Sequence, residues 1–370
     1  MLERGVSASA LSQARLKLSH TAFIELLEEV VIEPMYGSGD YERLMGHRLL
    51  AIDGSSLRLP NTAETRKDFG LIEHQNGKKG SVRGRQVEAK CSILYDVLNE
   101  VPLSGKLFPG RTNDIGAARS QLDLLQENDI LLADRGYTSY RFYSEIRSRN
   151  AHFVIRCKTH NYRLEHKLDP ADSKGDTTVT LIRPSREKEI PGIPESLKVR
   201  FIQLRLPGGE IEVIATSLLD RKRYPHSIFR KLYFKRWKIE TYYQTLKSRL
   251  SIDNFSGKST ESIKQDFYST LFVSGLETIL TGEANEELDQ KKTKNTQKVN
   301  KAISFHLIKN SVIRLIFENP PDLQRKITKL FQQNPTSIRP EREHPPRYIY
   351  KSGTDRRSLY FQRYARKHVF

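Results

Sequence analysis

Two kinds of apolar spacing follow one another along the chain. Near the amino terminus the apolar positions recur at helical intervals, which predicts two short helices within residues 7–31. The spacing then shortens to that of a strand, with an apolar run at 49–52 and alternation of apolar and polar residues up to Pro60. Asp53-Gly54-Ser55 interrupts this predicted strand.

Strand and helix patterns alternate through the middle of the chain. A stretch rich in Gly, Lys and Arg comes first, at residues 61–86, and we interpret it as a loop that faces a polyanion. The segments predicted after it are strands at 89–95 and 100–107, a helix from Asn113 or Asp114 to Leu125, a strand at 130–133, a helix at 139–149 and a strand at 152–157. Residues 158–220 break the alternation, and the short strands expected there, at 177–182, 199–206 and 210–216, predict an all-β insertion.

The strongest helical pattern lies between Tyr233 and Leu250. In a helix, the side chains of Tyr233, Arg236, Glu240 and Lys247 would fall within an arc of about 60°, beside an apolar face. One narrow stripe would then carry a phenol, two cations and a single carboxylate, which suits metal-assisted chemistry on a polyanion. Charged helix positions more often form a solvated face, so the stripe alone leaves both interpretations open.

Two aspartates lie next to buried strand residues, where a charged side chain is unusual. Asp53 follows buried strand residues, where an unpaired carboxylate is costly, although an Asp-Gly pair is also a common hairpin turn. Asp134 follows the strand at 130–133, and open α/β sheets bind their ligands at the carboxyl ends of strands. A helix-capping aspartate is the alternative for Asp134.

The net charge narrows the class of partner. The chain has 62 Lys and Arg against 44 Asp and Glu, a formal net charge of +18. This excess favours nucleic acid over an anionic membrane, since no apolar run approaches the roughly 20 residues needed to span a bilayer. From Glu283 onwards the chain is polar and basic, with an amphipathic segment near 303–317 and a tail in which arginines interleave with aromatics. Such a tail suits either a nucleic-acid surface or solvent.

Cysteine content and missing motifs remove other classes of chemistry. Only Cys91 and Cys157 are present, both among apolar residues, so we expect buried core thiols and neither disulfides nor a zinc site. The amino terminus lacks the apolar core of a secretion signal, which predicts a reducing cytoplasm. No Gly-rich phosphate loop, His-Glu-x-x-His pair or Gly-x-Ser-x-Gly elbow occurs. A site in this chain is therefore expected to be built from carboxylates.

Three sequence blocks together resemble the DDE transposases of the insertion-sequence-four family. AIDGSS matches the first-aspartate strand of that family, and LLADRGY matches its second-aspartate block. VIATSLLD, followed by LYFKRWKIETYYQTLKSRL and FSGKS, matches the region of its glutamate and includes the Tyr-Arg-Glu-Lys signature. The resemblance covers most of residues 7–280 and makes Asp53, Asp134 and Glu240 the candidate catalytic and metal-binding residues.

The resemblance implies a ribonuclease-H-like α/β fold, a mixed sheet flanked by helices, with the all-β insertion before the glutamate helix. The implied regions are an amino-terminal helical segment (1–45), a first part of the catalytic core (46–157), the β insertion (158–220), a second part of the core with the Tyr-Arg-Glu-Lys helix (221–285) and a basic carboxyl-terminal helical region and tail (286–370). Family members usually carry a further helical, end-recognising region, and Met1 falls almost at the start of the segment after it. A truncated copy that keeps the chemistry and loses repeat recognition is one expectation.

The chemistry that the resemblance implies is metal-dependent cleavage and transfer of DNA strands. Asp53 and Asp134 would bridge one divalent ion, and Asp53 with Glu240 would hold a second, so two Mg²⁺ or Mn²⁺ ions are expected. Two such ions activate the attacking water or 3′-hydroxyl and stabilise the leaving oxygen. The candidate DNA-binding residues are Tyr233, Arg236, Trp237, Arg135 and Lys247.

The implied reaction nicks the inverted-repeat ends of an insertion sequence and joins the 3′ ends to target DNA. Its partners would be double-stranded DNA and a second copy of the chain, because a homodimer must bring two ends together in the synaptic complex. The implied location is the bacterial cytoplasm, at the nucleoid. Several family members release the element through a DNA hairpin, with an aromatic residue that stacks on a flipped base. The β insertion contains no Trp, and Phe201 is the candidate for that role.

Two other functions stay open at this point. The chain could be a DNA-binding relative without catalysis, either a decayed or a domesticated copy. It could also be a ribonuclease-H-like nuclease without strand transfer, which needs no paired ends. The intact triad argues against decay of the active site, whereas the short amino terminus argues for decay elsewhere.

Overall fold

The chain forms two compact units in the computed structural model, which describes residues 7–76, 81–157, 175–188, 190–206, 209–291, 293–318 and 320–338. The first unit comprises Met1–Gly37, Arg58–Val87 and Thr245–Phe370. The second comprises Ser38–Leu57 and Glu88–Gln244.

Helices and strands alternate along the chain as in a mixed α/β protein. The helices are α1 (Ala8–Leu16), α2 (Thr21–Leu27), α3 (Glu33–Gly37), α4 (Ala63–Phe69), α5 (Asp114–Arg119), α6 (Tyr140–Arg147), α7 (Ile228–Phe234), α8 (Trp237–Ser248), α9 (Thr260–Asp289), α10 (Lys301–Phe317) and α11 (Pro321–Gln333). The strands are β1 (Leu49–Leu59), β2 (Leu71–Asn76), β3 (Ser81–Asp96), β4 (Val101–Pro109), β5 (Ile130–Ala133), β6 (His152–Cys157), β7 (Asp176–Ile182), β8 (Ser196–Arg205), β9 (Ile211–Thr216), β10 (Gln297–Lys298) and β11 (Thr336–Ser337). A π-helical stretch (Glu28–Ile32) lies between α2 and α3, and 3-10 turns lie at Leu122–Leu124, Arg135–Tyr137 and Ser185–Glu187.

The second unit is built on a mixed β-sheet. Its strands lie in the order β4-β3-β1-β5-β6-β9-β8-β7. The pairs β1–β5 and β5–β6 are parallel, whereas β3–β4, β6–β9, β9–β8 and β8–β7 are antiparallel. Helix α6 packs on β6, and α7 packs on β8. The predicted fold class, a mixed α/β sheet flanked by helices, is confirmed.

The parallel strands at the centre of this sheet are buried on both faces. Every residue of β5 is buried, and so are the first four residues of β1. A strand covered on both faces is expected to be a continuous apolar run, which is the pattern that predicted both strands. Cys91 and Cys157 are both buried in this unit, as predicted.

The predicted β insertion does not form a sheet of its own. β9 pairs antiparallel with β6, from Val154 opposite Thr216 to Cys157 opposite Val213, and β8 and β7 follow. The insertion therefore extends the central sheet. Its strands are visible in the sequence, but the partner of each strand is decided by tertiary pairing. Residues 158–174 of the predicted insertion lie outside the described residues.

The interruption predicted within the first strand is wrong. β1 runs without a break from Leu49 to Leu59, so Asp53-Gly54 is not a hairpin turn. Strands β3 and β5 lie on either side of β1 in the sheet, and such neighbours supply backbone hydrogen-bond partners that the local sequence does not show.

The helix predicted up to Leu125 is shorter than expected. α5 begins after the predicted cap, Asn113, whose side chain accepts a hydrogen bond from the backbone N–H of Gly116 at 2.6 Å. It ends at Arg119, and the 3-10 turn at Leu122–Leu124 follows. The start of the helix has a capping signal in the sequence, whereas its end has none.

The first unit is mainly helical. Its longest helix, α9, has 30 residues and packs along α2 and the π-helical stretch. Gly275 allows this close approach, because a Cβ atom there would lie 2.8 Å from Cγ1 of Val31. The amphipathic segment predicted near 303–317 is helix α10. Among the described residues, no helix is long and apolar enough to cross a bilayer.

Most of the loop predicted at residues 61–86 is regular structure. Thr62 and Thr65 form a capping box that begins α4, and β2 then pairs with the first part of β3. The loop prediction rested on Gly, Lys and Arg content, and composition shows neither a capping geometry nor a strand partner. Residues 77–80, and the predicted arginine-rich and aromatic tail at 356–370, lie outside the described residues.

A buried ion pair lies at the start of the β1–β5 pairing. The guanidinium of Arg48 donates from Nε and Nη2 to the two carboxylate oxygens of Asp129, at 2.8 and 2.6 Å. The two side chains are only 5% and 3% exposed. The backbone N–H of Ile130 donates to the carbonyl oxygen of Arg48 at 3.0 Å, and Leu49 pairs with Ile130 next along the strands. The ion pair and the strand pairing therefore share one register.

We expect Arg48→Met to lower the free energy of unfolding by about 3–5 kcal/mol, because it leaves the Asp129 carboxylate buried without its cation. Combining it with Asp129→Leu should recover most of the loss, since no charge is then left buried. Urea-induced unfolding followed by circular dichroism measures both effects.

Arg314→Met is the matched control, because Arg314 and Glu318 form an ion pair whose side chains are each 60% exposed. This change should alter the free energy of unfolding by less than about 1 kcal/mol. If Arg48→Met lowered the free energy of unfolding by no more than Arg314→Met does, the buried ion pair would not be needed to hold the strand register.

Candidate active site

The two predicted aspartates occupy equivalent positions on neighbouring parallel strands. Leu49 pairs with Ile130 and Ala51 with Leu132, and the same register continued two residues places Asp53 beside Asp134. In-register residues of parallel strands project from the same face of a sheet. Both aspartates are half-buried and lie beyond the buried strand residues. The carboxylates are therefore neighbours on one face.

The third carboxylate, Glu240, lies in the first turn of α8. Arg236 Nη2 donates to Glu240 Oε1 at 2.7 Å. The helix contacts β1 through Tyr243, whose hydroxyl donates to the backbone carbonyl of Asp53 at 2.9 Å. Because Tyr243 is less than one helical turn from Glu240, this bond positions the glutamate end of α8 against the strand that carries Asp53.

The three carboxylates and Arg236 share one electrostatic environment. The pKa of Asp53 is raised from its usual 3.8 to about 6, chiefly by burial, and the negative charges of Asp134 and Glu240 act in the same direction. The backbone N–H of Gly54, which lies 2.8 Å from Asp53 Oδ1, and the cation of Arg236 act in the opposite direction. Asp53 is thus the carboxylate on which the charges of the other site residues converge.

Each of the three carboxylates has one oxygen in a hydrogen bond to a protein donor. Asp53 Oδ1 accepts from Gly54 N, Asp134 Oδ1 accepts from Gly136 N at 2.7 Å, and Glu240 Oε1 accepts from Arg236. The expected helix-capping role of Asp134 is therefore present as well, since it caps the 3-10 turn that follows β5. Within the described part of the chain, no three His, Cys, Asp or Glu side chains are close enough to form a metal-binding group.

The carboxylate chemistry nevertheless suits a hard divalent cation. Mg²⁺ binds carboxylate oxygens together with water and phosphate oxygens and rarely uses a cage made of protein alone. The pKa of Asp53 is raised chiefly by burial and in smaller part by the charges of Asp134 and Glu240, and a cation would stabilise the ionised form against both effects. The donor set therefore fits such an ion, although the three side chains do not converge on one point in the described structure.

The predicted Tyr-Arg-Glu-Lys stripe is not one continuous helix. α7 ends at Phe234 and α8 begins at Trp237. Between them the backbone N–H of Arg236 donates to the carbonyl oxygen of Tyr233 at 3.0 Å. This hydrogen bond spans three residues, as in a 3-10 helix. Residues i and i+3 eclipse in a 3-10 turn, so Tyr233 and Arg236 still share a side. Apolar periodicity averages over such a turn, which is why it was missed.

Two of the five predicted DNA-binding residues are buried. Tyr233 and Arg236 are each 4% exposed, with the guanidinium of Arg236 centred 5.6 Å from the Tyr233 ring and 4.8 Å from that of Trp237. Trp237 is 39% exposed, and Arg135 is exposed beside Asp134. The fifth, Lys247, is exposed on the last turn of α8 and belongs to the first unit.

Phe201 is not available for base stacking. It lies on β8 with none of its surface exposed. The β insertion is part of the central sheet, and an inward-facing strand position becomes core. Phe201 is therefore wrong as a candidate for the flipped base.

Arg156 is a site residue that the sequence analysis missed. The β5–β6 pairing places Ala133 opposite Ile155. The same register continued by one residue places Asp134 opposite Arg156. Its guanidinium pairs with Glu212 at 2.7 Å. Asp53, Asp134 and Arg156 thus form one row across β1, β5 and β6. The sequence signal is an arginine at the last position but one of an apolar strand, and this signal alone is too weak to identify a site residue.

Asp114 is a second missed residue. Its carboxylate pairs with Lys90 Nζ at 2.9 Å, and a Cβ atom on Gly54 would lie only 2.5 Å from Asp114 Oδ1. Asp114 therefore packs directly against the residue that follows Asp53. The sequence showed this aspartate only as a candidate for the start of a helix.

We expect the metal-free protein to become less stable as the pH rises through about 6, because Asp53 binds its proton more tightly in the folded state. Its stabilising contribution is full below the unfolded pKa of 3.8 and is lost above the folded pKa. Asp53→Asn should therefore be more stable than the wild type at pH 7.5, by about 1–3 kcal/mol. The difference should shrink towards pH 4.

Thermal and urea unfolding in a chelator, from pH 4 to 8, measure this difference. Asp123→Asn is the control, because the Asp123 side chain is 85% exposed and pairs only at the surface. An Asp53→Asn variant that is destabilised equally at every pH would contradict the raised pKa of Asp53.

The chain matches the Transposase DDE domain family over residues 44–276. It is similar to the transposase InsG for insertion sequence element IS4 of Escherichia coli (strain K12), with 24% identity over 277 residues that cover 73% of this chain and 60% of that protein. It is also similar to the putative transposase y4zB of Sinorhizobium fredii (24% over 206 residues, 53% of each chain). The transposase for insertion sequence element IS231F of Bacillus thuringiensis subsp. israelensis is 22% identical over 362 residues, 84% of this chain and 73% of that one.

The chain thus spans 60% and 53% of the lengths of the first two relatives. Among solved structures, the piggyBac transposase synaptic complex with hairpin DNA is similar, with 11% identity and a TM-score of 0.41 over 77% of this chain and 53% of that chain. A TM-score this low carries no argument. The resemblance to insertion-sequence transposases is instead confirmed by the sequence match, which spans more than half of the chain. The chain belongs to the Transposase DDE domain family.

Proposed function

We propose that this transposase cleaves DNA strands at the inverted-repeat ends of an insertion sequence and transfers the 3′ ends to target DNA, with divalent metal ions. The observation that carries the proposal is the placement of Asp53 and Asp134 side by side, with Glu240 in the same electrostatic environment. A chain of this family that keeps all three carboxylates retains the groups that such a reaction needs.

The three carboxylates are the proposed metal ligands. Asp53 and Asp134 would hold one Mg²⁺ or Mn²⁺ ion, and Asp53 with Glu240 would hold a second. When bound, the ions supply an activated water or 3′-hydroxyl and a counter-charge for the leaving oxygen. The crowded charge around Asp53 supports this assignment, because carboxylates that repel one another gain most from a cation.

Arg236 would prepare the site before any ion arrives. It pairs with Glu240 and lowers the pKa of Asp53, so it favours the ionised state that a metal ligand requires. Its Nε atom and the Tyr233 hydroxyl are buried without a hydrogen-bond partner among the described residues. A phosphate oxygen that reaches the site would satisfy these two donors, and this is how buried residues could still contact DNA.

Arg135, Lys247 and Trp237 would make the outer contacts with DNA. Arg135 and Lys247 are exposed cations that suit phosphates, and Trp237 presents an aromatic surface beside the Arg236 guanidinium. Arg156, next to Asp134 in the sheet, is a further candidate for a phosphate. The net charge of +18 supports a polyanionic partner for the protein as a whole.

The assembly is proposed by analogy with the reaction itself. Two element ends have to be joined, so two copies of the chain would act together on double-stranded DNA, in the bacterial cytoplasm at the nucleoid. The match covers 60% of InsG, and recognition of the element ends by this chain is proposed together with the reaction.

The experiment that tests the function is cleavage of a duplex carrying the flanking inverted-repeat end, with Mg²⁺ or Mn²⁺. Asp53→Asn, Asp134→Asn and Glu240→Gln should each lower nicking by about a thousandfold or more, because metal ligands act as a unit. DNA affinity, measured by fluorescence anisotropy, should be unchanged or slightly tighter, since each change removes a negative charge.

Asp123→Asn is the control and should nick normally. Retained nicking in any of the three variants would overturn the assignment of the triad. Nicking without joining to a target would favour a nuclease, and binding without nicking in the wild type would favour a relative that has lost catalysis.

DNA affinity should fall with salt by about 0.9 log units per log unit of salt for each phosphate neutralised. Lys247→Ala should lower this slope by about one and weaken binding to all sequences alike, because a lysine acts on phosphate as a point charge. Lys188→Ala, an equal change of charge in the β insertion, is the control. A slope unchanged in Lys247→Ala would remove this residue from the DNA interface.

A further inference from the structure

Tyr137 is a buried polar side chain for which the proposed mechanism has no use. Its side chain is 1% exposed, and its hydroxyl has no hydrogen-bond partner among the described residues. A buried hydroxyl without a hydrogen-bond partner is unfavourable, so it calls for an explanation. The environment of the hydroxyl supplies one.

The fold holds Tyr137 next to the second aspartate. Asp134 caps the 3-10 turn Arg135–Tyr137, and the backbone N–H of Tyr137 donates to the carbonyl oxygen of Asp134 at 3.2 Å. The Tyr137 ring lies 5.8 Å from that of Phe142, and the turn packs against α5. These contacts leave the ring little freedom to move its hydroxyl away.

The helix that the turn packs against contributes a further carboxylate. Asp114 is the first residue of α5, and Lys90 and Gly54 hold it next to Asp53. Beyond burial itself, the negative charges of Asp53, Asp114 and Asp134 all raise the pKa of Tyr137. The positive charge of Arg236 acts in the opposite direction. The hydroxyl keeps its proton at neutral pH and is able to donate it in a hydrogen bond.

We propose that Tyr137 is a positioning residue: its hydroxyl donates a hydrogen bond to a water molecule held among Asp53, Asp134 and Asp114, and this water is a ligand of the divalent ion. Among the described residues, no carboxylate oxygen lies within hydrogen-bond distance of the hydroxyl, so a bridging molecule is needed to connect them. Mg²⁺ and Mn²⁺ keep water ligands in carboxylate sites, which provides that molecule. This inference rests on the proposed metal-dependent function.

A residue that does not bind the metal itself but hydrogen-bonds one of its ligands has a measurable effect on metal affinity. Loss of such a partner typically weakens metal affinity by about 10–100-fold. Tyr137→Phe removes only the hydroxyl, which makes no hydrogen bond to the part of the chain that the structure describes, so the fold should be kept. The structural role of the ring and the proposed role of the oxygen can therefore be separated.

The test is calorimetric titration of the whole chain with Mn²⁺ alone, without DNA. Tyr137→Phe should bind Mn²⁺ about tenfold more weakly or worse, with an unchanged or slightly raised unfolding temperature in chelator. In cleavage assays the variant should need correspondingly more Mn²⁺ and approach the wild-type rate at saturation. Tyr143→Phe is the matched control, because Tyr143 is also buried but its hydroxyl lies 3.7 Å from Cys157 Sγ.

The outcomes separate this inference from the proposed function. Wild-type affinity in Tyr137→Phe, with cleavage still lost in Asp53→Asn, would overturn the role of Tyr137 and leave the triad in place. Equal weakening in Tyr143→Phe would also overturn it, because the effect would then be structural. A wild type that binds no Mn²⁺ and cleaves without it would overturn both the metal function and this inference.

Discussion

The register between β1 and β5 is the constraint on which the candidate site depends. It is held at one end by the buried pair of Arg48 and Asp129, and five residues further along it brings Asp53 beside Asp134. A slip of one residue would turn Asp53 to the other face of the sheet and separate the two carboxylates. The ion pair at the start of the strands and the two aspartates at their end are therefore linked by the apolar residues between them, which are buried on both faces.

The site collects negative charge and offsets it only in part. Burial and the neighbouring carboxylates raise the pKa of Asp53, and Arg236 opposes them from a buried position. Several polar atoms near the site also lack hydrogen-bond partners within the described ranges of the chain, among them the hydroxyls of Tyr137 and Tyr233 and the Nε atom of Arg236. Unsatisfied donors and crowded carboxylates in one place are unfavourable for stability alone. They are the features expected of a surface prepared for metal ions, water and phosphate.

Several predictions failed for one shared reason. The stretch at 61–86 was interpreted as a loop from its composition, Asp53-Gly54 was considered as a turn, and Phe201 was considered as an exposed aromatic. In each case strand pairing decided the outcome: β2 pairs with β3, β1 continues between β3 and β5, and β8 is part of the central sheet. Pairing partners are distant in sequence, so no local pattern contains them. The break between α7 and α8 was missed because a short 3-10 turn preserves the apolar spacing.

The sequence by itself determined the elements and the chemistry of the site. Apolar runs long enough to fill buried strands predicted β1, β5 and β6, and three carboxylates in three motif blocks predicted Asp53, Asp134 and Glu240 as the candidate residues. Tertiary structure alone decided which residues join them. Arg156 enters the row because β6 pairs with β5 in one register, and Asp114 enters because Gly54 leaves room for α5. Local sequence specifies conformation through short-range sterics and hydrogen bonds, whereas the composition of a site depends on contacts between segments that only packing brings together.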